Sequence, residues 1–82
     1  MPYSVYIVRC SDGTYYTGIA ADVHKRLHEH NHTQKGARYT RARRPVTLVY
    51  TETLEDRSSA LKREYAIKQM TRTQKSVLIE TL

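Results

Sequence analysis

The chain has 82 residues, and its single cysteine, Cys10, excludes an internal disulfide framework and any metal site built from several cysteines. No stretch approaches the roughly 18 apolar residues of a membrane span, and the first residues do not resemble a signal peptide, so we expect a cytoplasmic protein. The formal net charge of +6 favours a polyanionic partner, nucleic acid first, although this value is also ordinary for a small soluble protein.

The first two predicted elements form a β-hairpin. Residues Tyr3–Cys10 alternate and are rich in β-branched and aromatic side chains, and Thr14–Ala20 continues as a second strand. The residues between the strands are turn formers, and Gly13 is suited to a positive φ. We predict a three-residue loop, Ser11–Gly13.

The length of this loop decides which side chains share a face of the sheet. With three residues, Tyr6 lies opposite Gly18, and Tyr16 becomes a diagonal neighbour of Tyr6, about 7–8 Å away at the backbone. A two-residue loop would place the two tyrosines on opposite faces. Gly18 is either a bulge or a position that leaves room for a ligand close to the backbone.

The hairpin is followed by a predicted helix that begins after Asp22 and runs to about Asn31. At about 100° per residue, Arg26 and His30 fall in the same arc as the apolar stripe of this helix. They therefore point toward the edge of the sheet, where an arginine either anchors the helix or holds a phosphate. The solvent side is predicted to carry His24, Lys25, His28 and Glu29.

The remaining elements complete an α+β fold, predicted as one domain over residues 1–82 with a small three-stranded sheet flanked by helices in the order β-β-α-β-α-α. Residues His32–Arg44 are predicted to form a polar loop, and Val46–Thr53 a third strand. A long helix begins at Asp56 or Ser58 and runs to about Met70. A last helix is capped by Thr71 or Thr73 and has an apolar face of Val77, Leu78 and Leu82.

One carboxylate lies in an unexpected place on the long helix. Its predicted inner side carries Ile67, Ala60, Glu64, Lys68, Leu61 and Tyr65, in that angular order. Glu64 is thus flanked by Ala60 and Leu61, and a buried carboxylate needs a partner. That partner is either Lys68, one turn further on, or a divalent cation, for which a carboxylate oxygen is the expected ligand.

These residues together resemble the GIY-YIG nuclease family. The segment SVY at residues 4–6 matches the first tripeptide of the family, and YTG at residues 16–18 matches the second. Arg26 and His30 follow at the spacing of the family, and Glu64 matches its metal-binding glutamate. The chain is most similar to the small single-domain bacterial members, including the segment KGARYTRARRPVTLVY.

The resemblance implies an endonuclease that hydrolyses phosphodiester bonds, with DNA favoured over RNA as the substrate. Glu64 would hold one divalent ion, Mg²⁺ or Mn²⁺. Either Tyr6 or His30 would take the proton of the attacking water. Arg26 would stabilise the charge that develops on the phosphate, and Tyr16 would orient the water or the phosphate.

The basic segment Arg38–Arg44 provides the predicted contact with the nucleic acid, together with Lys68 on the long helix. Phosphate contacts of this kind hold a duplex without reading its sequence, although a solvated charged loop is a common alternative. The predicted nucleic-acid-binding residues are Arg38, Tyr39, Arg41, Arg43, Arg44 and Lys68.

One departure from the family pattern keeps other functions open. Many members have an asparagine after the glutamate, near the C-terminus, whereas this chain has only Asn31. That role is empty here or is taken by Gln69, Gln74 or Lys68. The alternatives are therefore a catalytically inactive nucleic-acid-binding module with the same fold, and a basic domain that binds other proteins.

Overall fold

A computed structural model describes residues 1–81 of the chain. It contains three strands and four helices: β1 (Tyr3–Arg9), β2 (Tyr15–Ala20), α1 (Val23–His32), α2 (Arg38–Arg41), β3 (Thr47–Leu54), α3 (Arg57–Lys68) and α4 (Arg72–Glu80). The predicted α+β class and order of elements are confirmed, with the short helix α2 added inside the segment predicted as a loop. No helix in residues 1–81 is long and apolar enough to cross a membrane.

The strands form an antiparallel sheet of order β2-β1-β3, which makes β2 an edge strand. Gly13 has a φ of +85°, the left-handed conformation that a three-residue loop requires. In the resulting register Tyr6 pairs with Gly18, and Val8 pairs with Tyr16. The predicted loop length is therefore confirmed, and both tyrosines lie on the same face of the sheet as Gly18.

Helices cover both faces of this sheet. On the α1 side the buried cluster consists of Tyr6, Val8, Cys10, Ala20 and Val46. On the α3 and α4 side it consists of Val5, Ile7, Tyr50, Ala60 and Ile67. Because β1 is the central strand and is covered on both sides, its four successive residues 5–8 are all buried.

The predicted helix starts are correct where a side chain caps the first turn. The Asp22 carboxylate accepts a hydrogen bond from the Lys25 backbone N–H at 3.0 Å, and Asp56 accepts one from Ser59 at 2.8 Å. Of the two candidates for the last helix, Thr71 is the cap. These caps fix where α1, α3 and α4 leave the sheet, and hence where their side chains project.

The predicted inner side of α3 is partly wrong. Ala60 and Ile67 are fully buried, but Leu61 is 38% exposed and Tyr65 is 68% exposed. A helix that lies flat on a sheet buries only a narrow stripe, and the sequence arc was wider than this stripe. Glu64 therefore lies at the border between the buried stripe and solvent.

The predicted apolar face of α4 is also shifted. Leu78 packs against the core as expected, but its partner there is Ile79. Val77 is 57% exposed, so the helix is rotated relative to the prediction. Leu82 lies outside the described residues.

Candidate active site

The first feature of the site is the position of the Tyr6 ring, which lies over strand β2. Tyr6 is 2% exposed, and a Cβ atom placed on Gly18 would lie 2.5 Å from its hydroxyl oxygen and 2.7 Å from Cζ. Only glycine allows this contact, so the Tyr6 ring lies directly across β2. Of the two predicted uses of Gly18, a bulge or room for a ligand, the second is changed, because the room is filled by the protein's own Tyr6 side chain. Because β2 is the edge strand, Tyr6 thereby reaches from the central strand to the edge of the sheet.

His30 meets this hydroxyl from α1. The side chain is fully buried, and its Nε2 lies 2.7 Å from the Tyr6 hydroxyl oxygen. Its Nδ1 lies 2.8 Å from the hydroxyl oxygen of Thr40 in α2. The ring also contacts Tyr16 edge-on, with the ring centres 5.5 Å apart. The sequence aimed His30 at the two tyrosines, and the structure brings the three side chains together.

Burial sets the protonation of this pair. It raises the pKa of Tyr6 from 10.0 to about 12, and the nearby Arg26 guanidinium opposes this rise without cancelling it. Burial also lowers the pKa of His30 from 6.5 to about 4, and the positive charge of Arg26 adds to the decrease. The desolvation of the Tyr6 ring outweighs the effect of Arg26, so at neutral pH both Tyr6 and His30 are uncharged.

Arg26 is held beside the tyrosine by contacts of its own. Its Nη1 donates to Glu29 at 3.0 Å and to the carbonyl oxygen of Lys35 at 2.7 Å. Glu29, which the sequence placed on the solvent side, is instead only 18% exposed, and this hydrogen bond from Arg26 lowers the pKa of its carboxyl. The fixed guanidinium lines an open groove of about 250 Å³ between β2 and α1.

Glu64 approaches from the opposite face of the sheet. Its carboxylate is 18% exposed and pairs with Lys68 at 3.4 Å, the salt bridge that the sequence offered as one of two alternatives. The charge of Glu64 also contributes to the raised pKa of Tyr6, so the carboxylate lies within electrostatic reach of the phenol. Glu64 thus acts on Tyr6 from the face of the sheet opposite to His30 and Arg26.

The donor set limits the kind of metal site. Within residues 1–81, no group of three or more His, Cys, Asp or Glu side chains is arranged to hold a metal ion. A Mg²⁺ ion does not need such a group, because it keeps several water ligands and binds through one or two carboxylates together with substrate phosphates. A single half-buried carboxylate such as Glu64 fits that mode of binding.

The basic segment divides into fixed and exposed side chains. Arg43 donates to Asp12 at 3.0 Å and stacks on the Tyr39 ring, with its guanidinium 3.8 Å from the ring centre. Arg44 donates to the last carbonyl groups of α1, those of Glu29 and His30 among them, and so caps that helix. These contacts show a structural use for two arginines that the sequence assigned to nucleic acid.

Arg38 and Arg41 differ from their neighbours. Both are exposed, and neither makes a side-chain hydrogen bond or salt bridge within the part of the chain that the structure describes. Tyr39 between them is 37% exposed, and its ring stacks on that of Tyr16, with the ring centres 6.0 Å apart. The segment therefore offers two free guanidinium groups next to the candidate site.

Thr40 is the residue of the site that the sequence did not indicate. Its side chain is fully buried and contacts His30, as described above. A four-residue helix leaves almost no periodic signal, and a threonine within a basic run suggests a surface position.

Comparison with known proteins shows the family of this chain. The profile of the GIY-YIG catalytic domain matches residues 2–76. The chain belongs to the GIY-YIG family. This domain characterises a superfamily of nucleases that use divalent metal ions and act on nucleic acid, so nuclease-type chemistry is supported at the level of the family.

Relatives of this GIY-YIG protein are known from several organisms. A UPF0213 protein of Desulfotalea psychrophila is 62% identical over 76 residues, which are 93% of this chain and 69% of that protein. A UPF0213 protein of Halobacterium salinarum is 54% identical over 93% of this chain and 97% of its own length. These names state no activity.

Two solved structures resemble the whole chain. The solution NMR structure of a UPF0213 protein from Bacillus halodurans has a TM-score of 0.64 at 40% identity and covers 99% of this chain and 85% of that chain. The solution NMR structure of a protein from E. faecalis has a TM-score of 0.66 at 42% identity, with the same coverage. The likeness extends over all the elements that carry the candidate site.

Proposed function

We propose that this protein is a metal-dependent endonuclease that hydrolyses phosphodiester bonds in DNA. The observation that carries the proposal is the buried 2.7 Å contact between the Tyr6 hydroxyl and His30, beside Arg26, in a chain of the GIY-YIG family. A tyrosine bonded to an uncharged histidine has a path for its proton, which packing alone does not require. Glu64, whose charge acts on Tyr6, would supply the carboxylate that the reaction needs.

The choice between Tyr6 and His30 as the group next to the water follows from contacts. Both ring nitrogens of His30 are occupied, by Tyr6 and by Thr40, and the ring has no exposed surface. His30 therefore has no free ring nitrogen for a water molecule, and we assign Tyr6, which is 2% exposed and lies over the edge strand, as the group next to the water. As the water oxygen forms its bond to phosphorus, its proton passes to the Tyr6 oxygen, and the Tyr6 proton passes to Nε2 of His30. The bond from phosphorus to the leaving oxygen breaks in the same displacement.

Other residues stabilise the charge of this displacement. Arg26 is fixed by Glu29 and by the Lys35 carbonyl, so its guanidinium is already in place for the anionic phosphate. Tyr16, held between His30 and Tyr39, positions the water or a phosphate oxygen. Glu64 would hold a Mg²⁺ or Mn²⁺ ion, which supplies Lewis-acid stabilisation of the phosphate and of the leaving oxygen.

The exposed arginines provide the contact with the backbone of the substrate. Arg38 and Arg41 have free guanidinium groups, and their contacts would be to phosphates and independent of base sequence. We place the activity in the cytoplasm, in keeping with a free and buried Cys10.

The proposal is tested by replacing Glu64 with glutamine, which keeps the size of the side chain and removes its charge. Plasmid, branched, single-stranded and duplex DNA, together with RNA, are incubated with Mg²⁺ or Mn²⁺. We expect cleavage by the wild-type protein, loss of cleavage by Glu64→Gln and unchanged binding. Glu80→Gln, an exposed carboxylate on α4, is the matched control and should cleave normally.

A second function is favoured by one contact. The salt bridge from Lys68 to Glu64 at 3.4 Å neutralises the carboxylate without a metal, as expected for an inactive nucleic-acid-binding module. If the wild-type protein cleaves none of the substrates but binds them in a salt-sensitive manner, the module is correct and the enzyme is not. If binding is also absent, both proposals fail and a role in binding proteins remains.

A further inference from the structure

Thr40 has no part in the proposed chemistry, yet it is among the most buried polar residues of the protein, with no exposed surface. Its hydroxyl oxygen lies 2.8 Å from Nδ1 of His30 and 2.9 Å from the carbonyl oxygen of Ala37. A threonine hydroxyl has one proton to donate and can accept hydrogen bonds on its lone pairs. The two contacts together favour one direction for each bond.

A carbonyl oxygen only accepts hydrogen bonds, and the Ala37 carbonyl also accepts from the backbone N–H groups of Thr40 and Arg41, both at 3.1 Å. The Thr40 hydroxyl is closer to this oxygen, at 2.9 Å, which favours a Thr40 proton directed at Ala37. The oxygen of Thr40 then faces Nδ1 of His30 with a lone pair, and Nδ1 must carry the proton of that bond. A neutral imidazole has a single N–H group, which leaves Nε2 unprotonated. Nε2 is the atom that contacts Tyr6, and in this tautomer it accepts the tyrosine proton.

One contact favours the other tautomer. The backbone N–H of Ala37 lies 3.4 Å from Nδ1 of His30 and would donate to it if Nδ1 were unprotonated. This distance is at the long limit of a hydrogen bond, whereas both bonds of Thr40 are shorter by about half an ångström. The Thr40 hydroxyl therefore favours the tautomer with a proton on Nδ1. If the hydroxyl were removed, the backbone N–H of Ala37 would favour the tautomer with a proton on Nε2.

The short helix that carries Thr40 is itself held in place. The Tyr39 ring stacks on Tyr16, and Arg43 joins Tyr39 to the β-hairpin through its salt bridge with Asp12. The N–H of Ser11 in the hairpin loop donates to the carbonyl oxygen of Arg43 at 3.0 Å. The hydroxyl is thus presented to His30 from a fixed position.

We infer that Thr40 is a positioning residue, which fixes His30 in the tautomer whose unprotonated Nε2 accepts the proton of Tyr6. The consequence for cleavage rests on the proposed function, but the tautomer is a property of the protein alone. Without the Thr40 hydroxyl, the Ala37 N–H stabilises the tautomer with a proton on Nε2. Nε2 of His30 then donates to the Tyr6 oxygen, and this nitrogen has no lone pair that could accept the Tyr6 proton.

The tautomer is measured directly by NMR of ¹⁵N-labelled protein at neutral pH, with the His30 signals assigned by comparison with His30→Asn. We expect a protonated Nδ1 and an unprotonated Nε2 in the wild type and in Thr40→Ser, which keeps the hydroxyl. In Thr40→Val, of nearly the same shape, we expect the proton to move partly or wholly to Nε2. Thr33→Val is the matched control, because its hydroxyl bonds the Glu29 carbonyl and not the ring.

The inference is overturned if the wild type carries its proton on Nε2, or if a folded Thr40→Val variant keeps the wild-type tautomer. These outcomes do not depend on any cleavage, so they separate this inference from a failure of the proposed function. Should Thr40→Val not fold, the wild-type tautomer still decides the matter.

Where cleavage is observed, the expected effect is on the chemical step. Acid–base groups contribute about 10²- to 10⁴-fold to a rate, so we expect Thr40→Val to lower kcat at least about tenfold with KM nearly unchanged. Thr40→Ser should restore most of the rate. A wild-type kcat in Thr40→Val, despite a changed tautomer, would refute the role of Thr40 in the reaction.

Discussion

Gly18→Ala is predicted to damage the site through one interatomic contact. The added Cβ would lie 2.5 Å from the hydroxyl oxygen of Tyr6 and 2.7 Å from Cζ, distances that real Cβ atoms do not tolerate. The ring cannot simply swing away, because it is 2% exposed and its hydroxyl is bonded to His30. Either the ring moves and loses that bond, or β2 moves away from it.

The expected cost is worked out from these contacts. Overpacking a well-packed site costs about 1–3 kcal/mol, and a lost hydrogen bond adds about 1 kcal/mol. Replacing glycine in the unfolded chain returns about 0.4–1 kcal/mol. We therefore expect Gly18→Ala to lower the free energy of unfolding by about 1–4 kcal/mol, measured by urea denaturation. For a domain of this size the melting temperature should fall by roughly 4–8 °C for each kcal/mol lost.

Two further variants show whether the contact with Tyr6 is the cause. Gly13→Ala is the glycine control: nothing lies within 4 Å of its Cβ, so its cost comes only from the positive φ and leaves the site intact. In a Tyr6→Leu background, Gly18→Ala should cost less than about 1 kcal/mol, because the ring is gone. Equal losses with and without the Tyr6 ring, or a Gly18→Ala protein as stable as wild type, would refute the reasoning.

The other predictions concern charge. The pKa of His30 is about 4 in the folded protein against 6.5 unfolded, so the unfolded chain binds this proton first as the pH falls. His30 should therefore contribute stability that is complete above pH 6.5 and is lost toward pH 4, by at most about 3 kcal/mol, and this part of the pH dependence should be missing in His30→Gln. Arg38→Ala with Arg41→Ala should reduce the slope of log affinity for duplex DNA against log salt by up to about 2, with stability unchanged. Arg44→Ala should instead lower the stability, because it removes the cap of α1, and a loss of salt slope without a loss of stability would contradict the structural role of Arg44.

The parts of the site that the sequence predicted are those with a strict period or a strong local signal. In a strand the side chains alternate, so one glycine in the loop determined that Tyr6 and Tyr16 share a face with Gly18. The cap at Asp22 then fixed the residue at which α1 begins. In a regular helix this start determines the direction in which each later side chain points, including that of Arg26. None of these steps needed knowledge of distant contacts.

The parts that the sequence missed depend on contacts between elements. Nothing local to α3 shows that the sheet covers Ala60 and leaves Leu61 partly exposed, because the width of the buried stripe is set by the neighbouring strands. In the sequence, Arg44 is one more charge in a basic run, because its contact with the end of α1 is visible only in the structure. The direction of the pKa shift of Tyr6 also depends on such contacts: the sequence shows a nearby arginine, which lowers the pKa, whereas the larger effect of burial, which raises it, appears only in three dimensions.

A sheet of three strands explains why such a small protein can assemble a site from both of its faces. In a wide sheet, helices on opposite faces are separated by the strands between them and cannot reach a common point. Here β2 is both the neighbour of the central strand and the edge of the sheet. Gly18 lets the Tyr6 ring pass over β2 to that edge, where its hydroxyl contacts His30 from one face, and the charge of Glu64, on a helix of the other face, also acts on the phenol. The absence of a side chain at Gly18 is therefore as necessary to the geometry as the residues that carry the chemistry.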